Sequence, residues 1–208
     1  INAFALGAQM TNPRAKVYLE WSTLKEQDIE KRIDEIDPNC ISGKDIIVPD
    51  DNNHFYGVYH RESGGGEQKN LAMPLCHWGK FYEELIRTIM AGNWEQDNDV
   101  EKAINYWWGM PTGVVDVICS KKLPAGTVRL VNVLKHNYKT GQFHTFTDQM
   151  YAQGHVLKEK KGETLSPEEV IEMDWLAENI VGRIPKIEEL QEQAKPVLTQ
   201  QGIETRKG

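Results

Sequence analysis

The chain predicts an α/β fold with a mostly parallel sheet, and three observations carry that prediction. Short apolar runs such as Asp45–Val48 (DIIV), Tyr56–Tyr59 (YGVY) and Val114–Ile118 (VVDVI) have the length and composition of buried strands. Between them lie stretches whose apolar residues recur at helical spacing. Glycine, proline and polar clusters separate the two kinds of segment, so strands alternate with helices as in βαβ units.

In order along the chain, residues 1–10 read as the end of a helix that Asn12-Pro13 stops, because a residue before proline avoids the helical region. Residues 16–21 (KVYLEW) alternate apolar and polar, as a half-buried strand does. Residues 27–36 form a charged helix ended by Asp37-Pro38. DIIV and YGVY follow as strands, with the polar loop PDDNN between them. Residues 62–68 are a glycine-rich surface turn and residues 70–75 a strand. The clearest helix spans 79–91, where Phe81, Tyr82, Leu85, Ile86, Ile89 and Met90 make one apolar stripe. Glu83 and Arg87 can pair on its far side, and Gly92 suits the left-handed residue that ends it. After the strand VVDVI, residues 127–138 read as a helix closed near Gly141, and 142–146 as extended. Residues 150–164 read as a hairpin. Ser166-Pro167-Glu168-Glu169 is a strong helix start, with serine as cap, proline at the first position and glutamate three residues after the cap. That helix is expected to run through Trp175 and Ile180 to Gly182, leaving a charged tail after Pro185.

Composition narrows the function. The net charge of −7 and pI near 5.4 argue against a nucleic-acid partner, which needs clustered lysine and arginine. No run approaches the eighteen apolar residues of a membrane span. Cys40, Cys76 and Cys119 are odd in number and widely spaced, forming neither a disulfide framework nor a zinc motif, and they favour a reducing compartment. The nucleophile-elbow, phosphate-loop, zinc-protease and dinucleotide motifs are absent, so no catalytic residue, metal or cofactor is expected. Cys119 lacks a basic or helix-start setting that would activate its thiol. Asp50 and Asp51 are adjacent, so an extended loop points them apart.

The residues that suit ligand binding lie where strands end, since open α/β sheets bind ligands beyond the carboxyl ends of their strands. That rule selects Asp50, Asp51 and Asn52 after DIIV, Tyr59 and His60 at the end of YGVY, and His77 and Trp78 after NLAMPLC. Residues 70–119 also hold four of the six tryptophans, Trp78, Trp94, Trp107 and Trp108. Trp78, Trp107 and Trp108 can stack on a flat ring or pack within a core. The aspartates and asparagine can bond sugar hydroxyls or simply form a solvated turn. His60 and His77 read equally as ligand contacts or as surface histidines.

Several motifs, in order, resemble the basic membrane protein (BMP) family. INAFALGAQMTNPRAKVYLEW is similar to the family's segment leading into its second lobe. DIIVPDDN resembles its strand and loop, and LAMPLCHWGKFYEELIRTIMAGNW its strand, tryptophan-glycine turn and helix. YWWGMPTGVVDV, GQFHTF and SPEEVIEMDWLAENIVGRIP each resemble a later family segment. The likeness covers about residues 1 to 185. It implies Rossmann-like parallel-sheet lobes of a type I periplasmic binding protein, with residues 1–70 and 120–185 in the second lobe, 71–119 returning to the first, and 186–208 a peripheral tail. It further implies an extracytoplasmic, lipid-anchored protein at the plasma membrane that binds a nucleoside-like ligand between its lobes and hands it to an ABC permease. The first lobe would precede these residues in the same chain. The sequence departs from the family pattern at Tyr59, where a carboxylate or amide belongs, and at Cys76 and His77, near the place of a ribose-contacting lysine. A signal-less subgroup of the family offers an alternative, a cytoplasmic ligand sensor without a transporter.

Overall fold

The computed structural model describes residues 1–43, 56–64, 66–92 and 108–196. The helices are α1 (Asn2–Thr11), α2 (Ile29–Ile36), α3 (Trp78–Met90), α4 (Ala125–Lys139) and α5 (Pro167–Ile171). The strands are β1 (Val17–Tyr18), β2 (Cys40–Ser42), β3 (Val58–Arg61), β4 (Gln68–Cys76), β5 (Val115–Cys119), β6 (Thr147–Ala152), β7 (Val156–Thr164) and β8 (Ile180–Val181). The fold is mixed α/β, as the alternation predicts. Strand direction differs from the expectation: β1 and β8 pair in parallel, whereas β2-β3-β4-β5 form a wholly antiparallel sheet and β6-β7 an antiparallel hairpin. The expected strand DIIV lies outside the described residues.

The described residues fall into two units. The first comprises Ile1–Ile29 and the described part of His144–Gly208. Its core is Ala5 of α1 packed with Leu176, Ala177 and Ile180, flanked by Leu6, Val17 and Leu19. Two buried asparagines sew this core together. Asn2 accepts the backbone N–H of Ala177 at 2.9 Å and donates to the Trp175 carbonyl at 2.8 Å. Asn179 donates to the carbonyl of Ala5 at 2.9 Å. These bonds explain a difference from the sequence reading. The helix begun by Ser166, with its capping box intact, stops at Ile171 instead of reaching Gly182. Beyond it, Asn2, Gln153 and Tyr151 take the backbone groups of residues 175–178 that a longer helix would use itself. Leu176, Ala177 and Ile180 are buried by that extended route. Tertiary packing outweighs a helix propensity whose range is under about 1 kcal/mol per residue.

The second unit holds the described parts of Glu30–Val100 and Tyr106–Phe143. Within it β4 pairs with β3 on one side and β5 on the other. Gly57 admits the closest approach in this sheet. Its φ of +66° and a Cβ position only 2.4 Å from the Ala72 carbonyl oxygen exclude any side chain there. Asp116 of β5 fastens α4 to the sheet through Lys135 Nζ at 2.6 Å, and that ammonium also donates to the Val117 carbonyl at 2.8 Å. The Lys135 bond holds the Asp116 carboxyl below its ordinary range. α3 ends as expected at Gly92, whose φ is +72°. Its Glu83–Arg87 pair also forms, at 2.9 Å. The apolar stripe of α3 is a different matter. None of its residues is buried, and Tyr82, Ile86, Ile89 and Met90 are all exposed.

Candidate functional site

The antiparallel pairing of β4 and β5 brings two distant pieces of sequence to one corner. Cys76, the last residue of β4, lies opposite Val115, the first of β5. The backbone N–H of His77 then donates to the Val114 carbonyl at 2.8 Å, which fixes the turn into α3. Trp78 opens that helix, and Trp108 arrives just ahead of a short 3-10 turn (Met110–Thr112) that feeds β5. Phe81, three residues into α3, meets both indoles edge to face, Trp78 at 5.8 Å and Trp108 at 5.6 Å between ring centroids. Tyr82 adds a further edge contact to Phe81 at 5.6 Å. Trp78 is nonetheless 61% exposed. An indole is so large an apolar surface that a folded chain seldom leaves it in water without a use.

The other sequence-selected residues lie elsewhere. Tyr59 and His60 sit on β3 opposite Asn70 and Lys69, at the far end of β4 from His77. At about 3.3 Å per residue the two places are roughly 23 Å apart along the strand. Tyr59 is buried, and that burial raises its phenol above the ordinary range, with Arg61 opposing the shift. His60 is half-buried beside Cys40, its cross-strand partner. Cys40 is exposed by surface area, yet partial desolvation on the sheet raises its thiol, which makes it a poorer nucleophile. His77 is exposed and caps α3 without a side-chain hydrogen bond to the helix. Asp50, Asp51, Asn52 and Trp107 lie outside the described residues. Thus His77 and Trp78 share a corner, Tyr59 and His60 share a strand, and the two pairs do not meet.

The residue missed by sequence reasoning is Phe81, which looks like any other member of the α3 stripe. Its spacing of three from Trp78 was the available signal, since such pairs are neighbours on a helix. A concavity lies in the first unit, a cleft of about 230 Å³ that includes Gln9, Lys16, His155, Glu178 and Asn179 in its lining. Glu178 there accepts from Gln9 Nε2 at 3.2 Å and contacts His155 Nδ1 at 3.0 Å. The cleft has no aromatic wall and is narrower than ordinary small-molecule sites, which run from about 300 Å³ upward. Among the described residues no cluster of three or more His, Cys, Asp or Glu side chains is placed to hold a metal ion. No described helix is long and apolar enough to cross a membrane.

No protein-family model matches the chain. Two known proteins do resemble it. A purine-binding protein of Brucella abortus (strain 2308) is 24% identical over 197 residues, covering 89% of this chain and 54% of that protein. An ABC transporter protein of Haloferax volcanii, provisionally named as glucose-binding, is 30% identical over 126 residues, covering 55% of this chain and 30% of that protein. The chain is similar to substrate-binding proteins. It spans about half the length, or less, of these relatives, both of which are named for binding rather than for catalysis.

Proposed function

We propose that this protein binds a small metabolite with a flat ring, nucleoside-like in class, as the substrate-binding component of an ABC importer of the BMP type. The single observation that carries the ligand class is the exposed indole of Trp78, held in edge contact with Phe81. A flat heterocycle laid on that face gains the stacking energy of an aromatic pair, about 0.5–1.5 kcal/mol beyond the area it buries. The names of the two relatives, one purine-binding and one an ABC transporter protein, agree with that class and setting. Binding would proceed by closure of a two-lobed protein on its ligand, the bound molecule shifting the open and closed populations. The same reading puts the protein outside the membrane, lipid-anchored, with the ABC permease as its partner.

A thermal-shift panel on the full-length protein tests this reading. A nucleoside present at 100 times its dissociation constant adds about 2.7 kcal/mol of stability and raises the melting temperature visibly. No shift with any purine or pyrimidine nucleoside at millimolar concentration sinks the ligand class. A second reading, a cytoplasmic sensor of the same fold, is favoured by one feature: Cys40 and Cys76 are exposed and Cys119 half-buried, and all three thiols are free. Fractionation of the native host decides between the two locations.

A further inference from the structure

We infer that Phe81 is a positioning residue for ligand recognition, holding the Trp78 indole at the angle from which it stacks; this rests on the flat-ring reading above. Three contacts place Phe81 at the centre of the corner. Its ring meets Trp78 at 79°, Tyr82 at 74° and Trp108 at 62°, each as an edge contact within 6 Å. The positive edge of one ring against the negative face of another is a directional interaction, so it restrains ring angle as well as distance. Trp108 reaches Phe81 from the segment before β5, and Trp78 from the start of α3. Phe81 therefore couples two pieces of chain that touch only because β4 and β5 pair there.

The coupling has a consequence for binding. A tryptophan that is 61% exposed has few neighbours to restrict its rotamers, and stacking must freeze one of them. Phe81 supplies that restriction before a ligand arrives. The role requires an aromatic edge, and apolar volume alone does not replace it. Leucine at position 81 keeps the bulk and loses the edge, while tyrosine keeps both. Phe81 itself is half-buried and need not touch the ligand.

The test uses the full-length protein with F81L and F81Y, each also combined with W78F, and adenosine and guanosine as probes. The near-ultraviolet circular dichroism of Trp78 is read as the difference between proteins with and without W78F, since the chain holds five other tryptophans. That difference signal should collapse in F81L and persist in F81Y. The dissociation constant for the tighter of the two nucleosides should rise about three- to tenfold in F81L and return in F81Y. An unchanged Trp78 signal in F81L, or unchanged affinity in F81L, overturns the inference. A wild-type protein that binds neither nucleoside refutes the purine form of the flat-ring reading, and the difference spectrum alone then decides whether Phe81 orients Trp78.

Discussion

α1 and α3 are helices of ten and thirteen residues that meet opposite fates. α1 has the weaker amphipathic pattern, yet it buries Asn2 and Ala5 and joins an apolar cluster of the first unit. α3 has the cleaner apolar stripe, yet buries none of it, and Met90 at its end is 82% exposed. Periodicity tells which side of a helix is apolar. Whether that side meets a partner depends on what the rest of the chain brings to it. For α1 the partner is the extended segment 173–180, captured by Asn2 and Asn179. α1 therefore behaves as scaffold, and α3 presents surface.

Substitutions can break that contrast, beginning with the largest effects. Leu176→Ala, which empties a buried site in the first unit, should cost about 3 kcal/mol in urea unfolding. Ile86→Gln, on the exposed stripe of α3, should change stability by less than about 0.5 kcal/mol. Equal costs would erase the distinction between scaffold and surface. Gly57→Ala should be comparably damaging within the second unit, about 3 kcal/mol, because its new methyl meets the Ala72 carbonyl and its φ is strained. Wild-type stability for that variant would mean β3 does not approach β4 as described. Asn179→Ala should cost about 1 kcal/mol, since it removes the buried bond that ties its segment to the Ala5 carbonyl of α1.

The smallest effect concerns pH. Glu189 forms a two-pronged ion pair with Arg183, one arm at 2.7 Å, and accepts the backbone N–H of Lys186. The Arg183 bond, followed by the Lys186 backbone bond, holds its carboxyl down from 4.5 to about 2. A depressed carboxyl contributes stability that is present above its unfolded value and is lost as pH falls through the folded one. Glu189→Gln should therefore flatten the melting-temperature profile between about pH 4.5 and 2 and lower it only slightly at neutral pH. An unchanged acid limb would show that this exposed pair contributes nothing measurable.

Local signals were legible in the sequence. Ser166, Pro167 and Glu169 announce α5, Gly92 ends α3, and charged and glycine positions within residues 150–164 mark the hairpin that β6 and β7 form. Pairing was not. Alternating element types suggest parallel strands, but direction is decided by long-range contacts that periodicity does not encode, and β2 to β5 run antiparallel. The buried asparagines were equally hidden, because asparagine is usually exposed and nothing local to Asn2 or Asn179 names the distant backbone groups they bond. At the candidate site, strand-end reasoning reached His77 and Trp78, whose corner depends on a local strand-to-helix turn. The same reasoning grouped them with Tyr59 and His60, which the register of β3 on β4 carries away. Phe81 was visible only as one apolar residue among six.

The most direct test of the claim that the second unit presents a ligand platform is titration of the full-length protein and its Trp78→Ala variant with adenosine and guanosine, read by calorimetry and alongside thermal melting. The exposed indole predicts a loss of affinity of about tenfold or more with a melting temperature unchanged within a degree or two. Undiminished affinity in Trp78→Ala, or a variant that no longer folds, would contradict it: the first shows that ligand stacks elsewhere, and the second that Trp78 belongs to a core.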